Sequence, residues 1–378
     1  MLIQSLEVRN FRNIRECSLS FSDTYNLISG RNAQGKTNLL EAIHFFSLGR
    51  SFRTRKTEEV IAFEEEYTHL RLNGTSDVGV RLRLDIGIER SGGLKASVGG
   101  KRLAGLSEII GLIPTVIFTP EDVTLASGPP ANRRVYLDYT AAQVSPDFLG
   151  ELKAFRKALR QRNSLLRAVA EGRGDGRELT AWNEIFVEKG AAVVRGRIEM
   201  IAHISTEAGG LIGRILQKEE HLSMEYRCSF DPEGRGYEEA LRESLERAEE
   251  RERVRGVTLV GPQYDDVSLF IGPVELRRYG SQGRKRLAAI ALKLAQATVI
   301  MRQRGERPVV LLDDIFSELD AGTAGGVRGI LADSFQSFIT SPRPTDLSGS
   351  DLGRRCFVVE GGVFEEISGF PERAPEAP

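Results

Sequence analysis

The sequence predicts an α/β protein in which a nucleotide-binding domain with mixed β-sheets is assembled from both ends of the chain around an inserted helical subdomain. Three observations carry this. Gly30–Thr37 (GRNAQGKT) fits G-x-x-x-x-G-K-[ST], a loop whose backbone N–H groups wrap phosphates. Val309-Val310-Leu311-Leu312 is an apolar run that ends in Asp313-Asp314, the acidic strand end such a loop needs. Between them, from about Asp147 to Gln217, the apolar period becomes purely helical.

At 378 residues the chain exceeds what one core usually serves, so two subdomains or a large insertion are expected. Charged residues are 28% and the net charge is −1, which excludes a global basic field; a nucleic-acid surface would be a local cluster of Arg and Lys. Cys17, Cys228 and Cys356 are far apart and lack metal-like spacing, so neither a disulfide framework nor a zinc site is expected. The opening MLIQSLEVRNF alternates like a strand rather than a signal peptide, and no apolar run approaches a membrane span. A reduced, cytoplasmic protein without a membrane partner is the expectation.

In chain order, Leu2–Val8, Cys17–Phe21 and Tyr25–Ser29 read as strands, the last feeding the glycine loop. Thr37–Leu48 reads as the amphipathic helix leaving it, with Leu39, Leu40, Ile43, Phe46 and Leu48 apolar. The basic loop Gly49–Lys56 reads either as a solvated turn or as an ATP or DNA contact. Residues 68–99 alternate as antiparallel strands, with Gly99-Gly100 as a hairpin turn before Lys101 and Arg102. Ile113–Phe118 is a β-rich run, and Gly128–Asp138 begins with a turn and becomes helical.

In the helical middle, Leu152, Phe155, Leu159, Leu166 and Val169 form one seam, surrounded by Lys153, Arg156, Lys157, Arg160 and Arg162. Glu171–Gly176 breaks it. Val194, Ile198, Ile201, Ala208, Ile212 and Ile215 form a second seam, which suits an antiparallel pair, either a short coiled-coil arm or a plain helical subdomain. Met224–Phe230 reads as a strand and Glu238–Arg253 as a solvated helix; Val257–Val260 and Asp266–Ile271 return to strand character. Ser281–Gln296 opens a long helix. Gln336–Ile339 is a last buried strand, Cys356–Val359 and Val363–Ile367 a hairpin, and 370–378 a frayed tail. The expected divisions are 1–146, the N-terminal part of the head; 147–255, the helical insertion; 256–369, the C-terminal part; and 370–378, the tail.

Chemistry follows from the three motifs. Gly30, Arg31, Asn32, Ala33, Gln34, Gly35, Lys36 and Thr37 form the phosphate loop; Gly30 and Gly35 let the backbone turn close to oxygens, and the following helix points its free N–H groups at the anion. Lys36 should reach the β- and γ-phosphates, Thr37 and Asp313 should hold Mg²⁺, and Asp314 should position or deprotonate the attacking water. Ser281 and Gly283 stand at a helix start, which reads either as an ordinary Ser cap or as a phosphate-seeking element used on a nucleotide held by another subunit.

These motifs, their order and Ser317-Glu318-Leu319-Asp320 resemble the ABC-type ATPases, and the long insertion resembles the branch shared with SMC proteins. More narrowly the chain resembles the RecF family, through Asn10-Phe11-Arg12, GKTNLLEAI at 35 to 43, Ser51-Phe52-Arg53-Thr54, Pro120-Glu121-Asp122, Arg133-Arg134 leading to Leu137-Asp138, Ser281-Gln282-Gly283, and Asp313-Asp314 through Asp320. It departs where the family usually has Gly-Pro-His-Arg-Asp-Asp and this chain has Gly261-Pro262-Gln263-Tyr264-Asp265-Asp266. ABC ATPases also generally carry Glu where Asp314 stands and often a His where Thr340 and Ser341 stand, which argues for slow hydrolysis.

The resemblance implies an ABC-type head that binds ATP and Mg²⁺, with Asp320 in a loop that crosses the dimer interface, and an ATP-dependent homodimer closing over double- and single-stranded DNA at gaps and junctions. It implies partnership with RecO and RecR, indirect action on RecA, and roles in repair, replication restart and the SOS response. Candidate DNA contacts are Arg53, Arg55, Lys56, Lys101, Arg102, Arg133 and Arg134. Two rivals are the ATP subunit of a membrane transporter, which needs a membrane docking surface, and a small-molecule phosphotransferase, which needs no Ser281.

Overall fold

The computed structural model of the protein describes residues 1–368 apart from 55, 106–107, 175, 217–218, 233, 333 and 343–354. Arg55 and the tail 370–378 therefore lie outside the described residues.

From the N-terminus, β1 (Leu2–Phe11), β2 (Ile14–Ser20) and β3 (Tyr25–Ser29) lead into α1 (Lys36–Leu48). Then come β4 (Tyr67–Thr75), β5 (Arg81–Glu89), β6 (Gly93–Val98), β7 (Lys101–Arg102) and β8 (Thr115–Phe118). Helices α2 (Thr124–Ser127), α3 (Pro130–Val144), α4 (Pro146–Ala170) and α5 (Leu179–Leu216) precede β9 (Leu222–Arg227) and α6 (Tyr237–Arg255). The chain continues through β10 (Asp266–Ile271), β11 (Val274–Glu275), α7 (Leu276–Tyr279), α8 (Gln282–Arg304), β12 (Val309–Leu312), α9 (Ala321–Ala332), β13 (Ser337–Ser341), β14 (Arg355–Glu360) and β15 (Val363–Ile367).

Two compact units result. The first comprises Met1–Asp122, Gly213–Lys218 and Gln296–Pro378; the second comprises Val123–Ile212 and Glu219–Ala295. These limits differ from the divisions expected after 146 and 255. The reason is that α3 is tied to other elements of the second unit: Asp138 on α3 accepts from Arg197 Nε on α5 at 2.8 Å, and Arg133 Nε donates to Asp266 on β10 at 2.7 Å.

The first unit holds two six-stranded sheets, ordered β2-β1-β4-β5-β6-β7 and β15-β14-β3-β13-β12-β8. The first is antiparallel, with inward residues such as Leu6, Val8, Leu70, Leu72, Leu84 and Ile86 at period two. In the second, β14, β3, β13, β12 and β8 are parallel, and β3, β13, β12 and β8 are buried at every position, as strands covered on both faces should be. Helix α1 touches β1 and β4 of one sheet and β8 and β13 of the other. It is therefore buried nearly all round, from Leu39 through Ser47, rather than amphipathic as the apolar spacing predicts. Phe11 and Phe45 meet edge to face across that packing, 6.4 Å between ring centroids.

In the second unit α4 and α5, of 25 and 38 residues, run antiparallel: Phe148 sits over Gly196, Phe155 over Phe186, and Arg162 reaches Asn183. At the α-helical rise they are about 37 and 57 Å long. Helix α6 packs on α4 and buries Ala240, Leu241, Leu245 and Ala248, so it is a third packed helix and not merely a solvated one. A three-stranded antiparallel sheet, β11-β10-β9, completes the unit.

Arg162, expected on the charged flank of the α4 seam, is buried within it. Its guanidinium pairs with the fully buried Glu252 of α6 and donates to Thr258 Oγ1 and Asn183 Oδ1, each at 2.7 Å. The same network explains why Val257–Val260 forms no strand. Thr258 N–H donates to Asn163 Oδ1 at 2.8 Å and Leu259 N–H to Glu252 Oε1 at 2.6 Å, so side chains take the bonds a strand neighbour would take.

Glu252→Ala would leave Arg162 buried without a counter-charge, which costs about 3–5 kcal/mol. Urea denaturation of the full chain should show that loss. The double substitution Arg162→Met with Glu252→Leu should recover most of it, and equal destabilisation by the single and double variants would show that the pair is not the source.

Candidate nucleotide site

The site lies where the ends of β3, β13 and β12 come level in the first unit: Leu27 pairs with Ile339, and Ile339 with Leu312. Each strand then releases functional residues at its C-terminal end, the usual place for ligands in parallel sheets. From β3 comes the glycine loop, from β12 Asp313 and Asp314, and from β13 Thr340.

The loop has no room for side chains at its two glycines. A Cβ on Gly30 would meet Val359 O at 2.5 Å, and Gly35 has φ +122° with Asn13 Oδ1 at 2.9 Å from where a Cβ would stand. Neighbours hold the loop in shape. Gln34 O accepts from Asn13 Nδ2 and from Gly362 N–H, each at 2.9 Å, and Gln34 Oε1 accepts from Gly361 N–H at 2.6 Å. The turn between β14 and β15 thus braces it. Arg31, Asn32 and Ala33 are exposed at its crest, with Ala33 at φ 66°.

Lys36 is buried; its ammonium donates to Gly30 O at 2.8 Å and Arg31 O at 3.3 Å and stands 3.7 Å from Asp314 Oδ2. The first turn of α1 has no acidic residue and no side-chain cap, which leaves its N–H groups for an anion. Thr37 Oγ1 lies 2.8 and 2.9 Å from the two carboxylate oxygens of Asp313, joining residues 276 positions apart. Burial pushes the Asp313 carboxyl above the usual carboxylate range, against the hydrogen bonds from Thr37 and Thr340.

A cavity of about 420 Å³ opens over the loop, lined by Lys36, Thr37, Asn38, Arg53 and Asp314 among others. An adjoining one of about 830 Å³ shares Asn13, Asn38 and Arg53 with it and adds Arg12, Arg15, Phe63 and Arg90. Among the described residues no group of three or more His, Cys, Asp and Glu is placed to hold a metal alone. A cation beside Thr37 and Asp313 would complete its shell with phosphate oxygens and water, which is how Mg²⁺ is commonly held. The residues fit a magnesium–nucleotide.

Glu41 is the residue that sequence reasoning missed. It is fully buried on α1 beneath the shared wall of the two cavities. Arg12 holds it with Nε–Oε2 3.0 Å and Nη2–Oε1 2.7 Å; Ser51 Oγ donates to Oε1, and Arg53 Nη1 approaches Oε2 at 3.3 Å. Arg53 also donates to Asn38 Oδ1 at 2.8 Å. The signal was available: three separate short motifs carry Arg12, Glu41 and Ser51–Arg53, and Glu41 is the acid among two arginines and a hydroxyl.

The remaining predicted residues separate. Ser281 and Gly283 are exposed in the second unit at the start of α8, where Ser281 Oγ accepts from Arg284 N–H at 3.4 Å as a weak cap. Asp320 is exposed and caps α9, accepting from Thr323 N–H at 3.0 Å and Thr323 Oγ1 at 2.7 Å, bonds that hold its carboxyl below the usual range. Lys56, Lys101 and Arg102 are exposed. Arg133 is not available to DNA: it is buried, bidentate to Asp266, and donates to Leu125 O and Gly128 O. Arg134 is half-buried with Nη1 on Asp265 O at 2.7 Å. Gln263 and Tyr264, at the departure from the family pattern, brace their own loop through Val260 O and Thr258 O, each at 2.8 Å.

No helix among the described residues is long and apolar enough to cross a membrane. The family described as RecF/RecN/SMC N terminal domain matches residues 2–364. A DNA replication and repair protein RecF from Heliobacterium modesticaldum is 36% identical over all of both chains, and one from Shouchella clausii is 34% identical over 97% of this chain and 100% of its own. A solved structure described as the recombination mediator protein RecF-ATP in the RecFOR pathway superposes with TM-score 0.87 at 34% identity, covering 97% of this chain and 98% of that one. An SMC head domain from Pyrococcus furiosus, at TM-score 0.55 and 16% identity over 97% of this chain and 96% of that one, shares the fold. With the family match spanning residues 2–364 and RecF relatives matched along their whole length, the chain belongs to the RecF family.

Proposed function

We propose that this protein is a DNA-binding ATPase of recombinational repair, in which ATP closes a homodimer over gapped or junction DNA and slow hydrolysis opens it. The observation that carries the reading is the meeting of the Thr37 hydroxyl and the Asp313 carboxylate at the mouth of a glycine cradle. It is supported by the related RecF structure solved with ATP. Partnership with RecR and RecO, assistance to RecA loading, and support of replication restart and the SOS response are part of the same reading.

In this account the N–H groups of residues 30–37 and the Lys36 ammonium hold the phosphates, and Lys36 exchanges its bonds to Gly30 O and Arg31 O for bonds to phosphate oxygen. Thr37 and Asp313 hold Mg²⁺, which neutralises charge on the phosphates when bound. Asp314 orients the attacking water. A nucleotide seated on this loop extends its base into the contiguous cavity, where Arg12, Asn13 and Phe63 supply polar contacts and an apolar surface. Ser281 and Gly283 of a second copy complete the phosphate shell. An aspartate in place of a longer glutamate and a threonine in place of an imidazole favour a slow timer. DNA is held through phosphate contacts that are salt-sensitive and largely sequence-independent; Arg53, Lys56, Lys101 and Arg102 remain candidates for them.

Lys36→Ala should weaken ATP binding about 10–100-fold, the worth of a charge-assisted contact. Asp314→Asn should bind ATP normally and trap the dimer; hydrolysis at the wild-type rate would remove Asp314 from the chemistry.

Ser281→Arg should bind ATP yet stay monomeric in sedimentation runs. A normal ATP-dependent dimer would end the two-subunit site.

ATP turnover, measured with and without gapped DNA in the same buffer, should rise with DNA. Indifference to DNA would count against the repair reading.

A further inference from the structure

We propose that Thr340 is the positioning residue for hydrolysis, setting the two carboxylates of the site relative to each other. The inference rests on the nucleotide reading above. Thr340 is fully buried in β13, in register with Ile28 of β3. Its Oγ1 lies 2.9 Å from Asp313 Oδ1 and 3.2 Å from Asp314 Oδ1, and it accepts the Asp314 N–H at 2.9 Å.

A threonine hydroxyl has one proton and two lone pairs. Here one lone pair is committed to the Asp314 N–H, and the proton can serve one carboxylate at a time. With the shorter distance to Asp313, the proton rests there. Thr37 and Asp313 would hold a cation here, and the Thr340 hydroxyl could then donate to Asp314 Oδ1, 3.2 Å away, instead. The other Asp314 oxygen, Oδ2, stands 3.7 Å from Lys36 on a residue that lines the cavity, where it can accept a hydrogen bond from water. No proton is consumed in this rearrangement. Thr340 passes the state of the metal carboxylate to the water-orienting one without touching nucleotide.

The backbone gives independent support. Asp314 stands at φ 51°, the left-handed region that non-glycine residues enter at a cost. Its N–H donates to Thr340 Oγ1, so the same hydroxyl that orients the carboxylate also holds the strained turn that presents it.

The test compares Thr340→Val, which keeps the shape and removes the hydroxyl, with Thr340→Ser, which keeps the hydroxyl; Thr340→Ala replaces valine if that variant folds poorly. ATP affinity with and without Mg²⁺, lifetime of the ATP-bound dimer, and turnover are measured on the full chain. Thr340→Val should lower turnover about 10–100-fold, lengthen the dimer lifetime to match, and hold ATP affinity within about threefold, with Thr340→Ser near wild type. Wild-type turnover in Thr340→Val overturns the proposal. So does a serine variant as impaired as the valine, or a loss of ATP affinity that equals the loss of turnover. Absence of turnover in the wild type itself would overturn the nucleotide reading, and this inference with it.

Discussion

The bond between the Thr37 hydroxyl and the Asp313 carboxylate is the constraint on which the rest of the structure depends. It joins the two ends of the sequence, and the sheet is built to allow it. β3 and β12 reach the same level because β13 lies between them in register, and β8 flanks β12 on the far side. The chain leaves this sheet just after β8 and returns at β12, its direct neighbour. A long insertion between adjacent strand ends leaves the sheet undisturbed, since loop closure depends only weakly on length. The helical unit can therefore be large without loosening the site.

Burying a carboxylate is unfavourable unless donors surround it. Asp313 shows the cost in its raised pKa and the compensation in the hydroxyls of Thr37 and Thr340. Glu41 poses the same problem one layer deeper and solves it with two arginines and Ser51. The two arrangements differ in consequence. The hydroxyls around Asp313 bring no positive charge of their own, which leaves room for a cation. Guanidinium groups around Glu41 neutralise it and fix Arg12 and Arg53 along the cavity wall. One buried acid is kept receptive, and the other is spent on shape.

Much of this was legible in the sequence, and the exceptions share a cause. The phosphate loop, the all-apolar Val309–Leu312 strand and the hairpin around Gly361-Gly362 follow from local pattern, because local backbone demands select their residues. Arg162 and Arg133 were misread as surface side chains. An arginine's burial depends on its partner, and the partners stand 90 and 133 positions away, at Glu252 and Asp266. Val257–Val260 has strand composition, but Asn163 and Glu252 supply its backbone bonds. Helix α1 looked amphipathic because Glu41, His44 and Ser47 are polar, yet all three are buried between the two sheets. For the arginines and Val257–Val260 a distant polar group, and for α1 the two sheets around it, changed the meaning of a local pattern.

The left-handed turn at Asp314 shows why the site is economical rather than merely compact. Continuing β12 in extended conformation would send successive side chains to opposite faces of the sheet, so Asp313 and Asp314 could not both face the glycine loop. Turning the backbone at Asp314 brings its carboxylate to within 3.7 Å of Lys36, on the side where Asp313 meets Thr37. The turn places two like charges close together, which is unfavourable, and Lys36 and Thr340 between them offset it. Strain, repulsion and burial are all concentrated at the one point where the strand must stop being a strand.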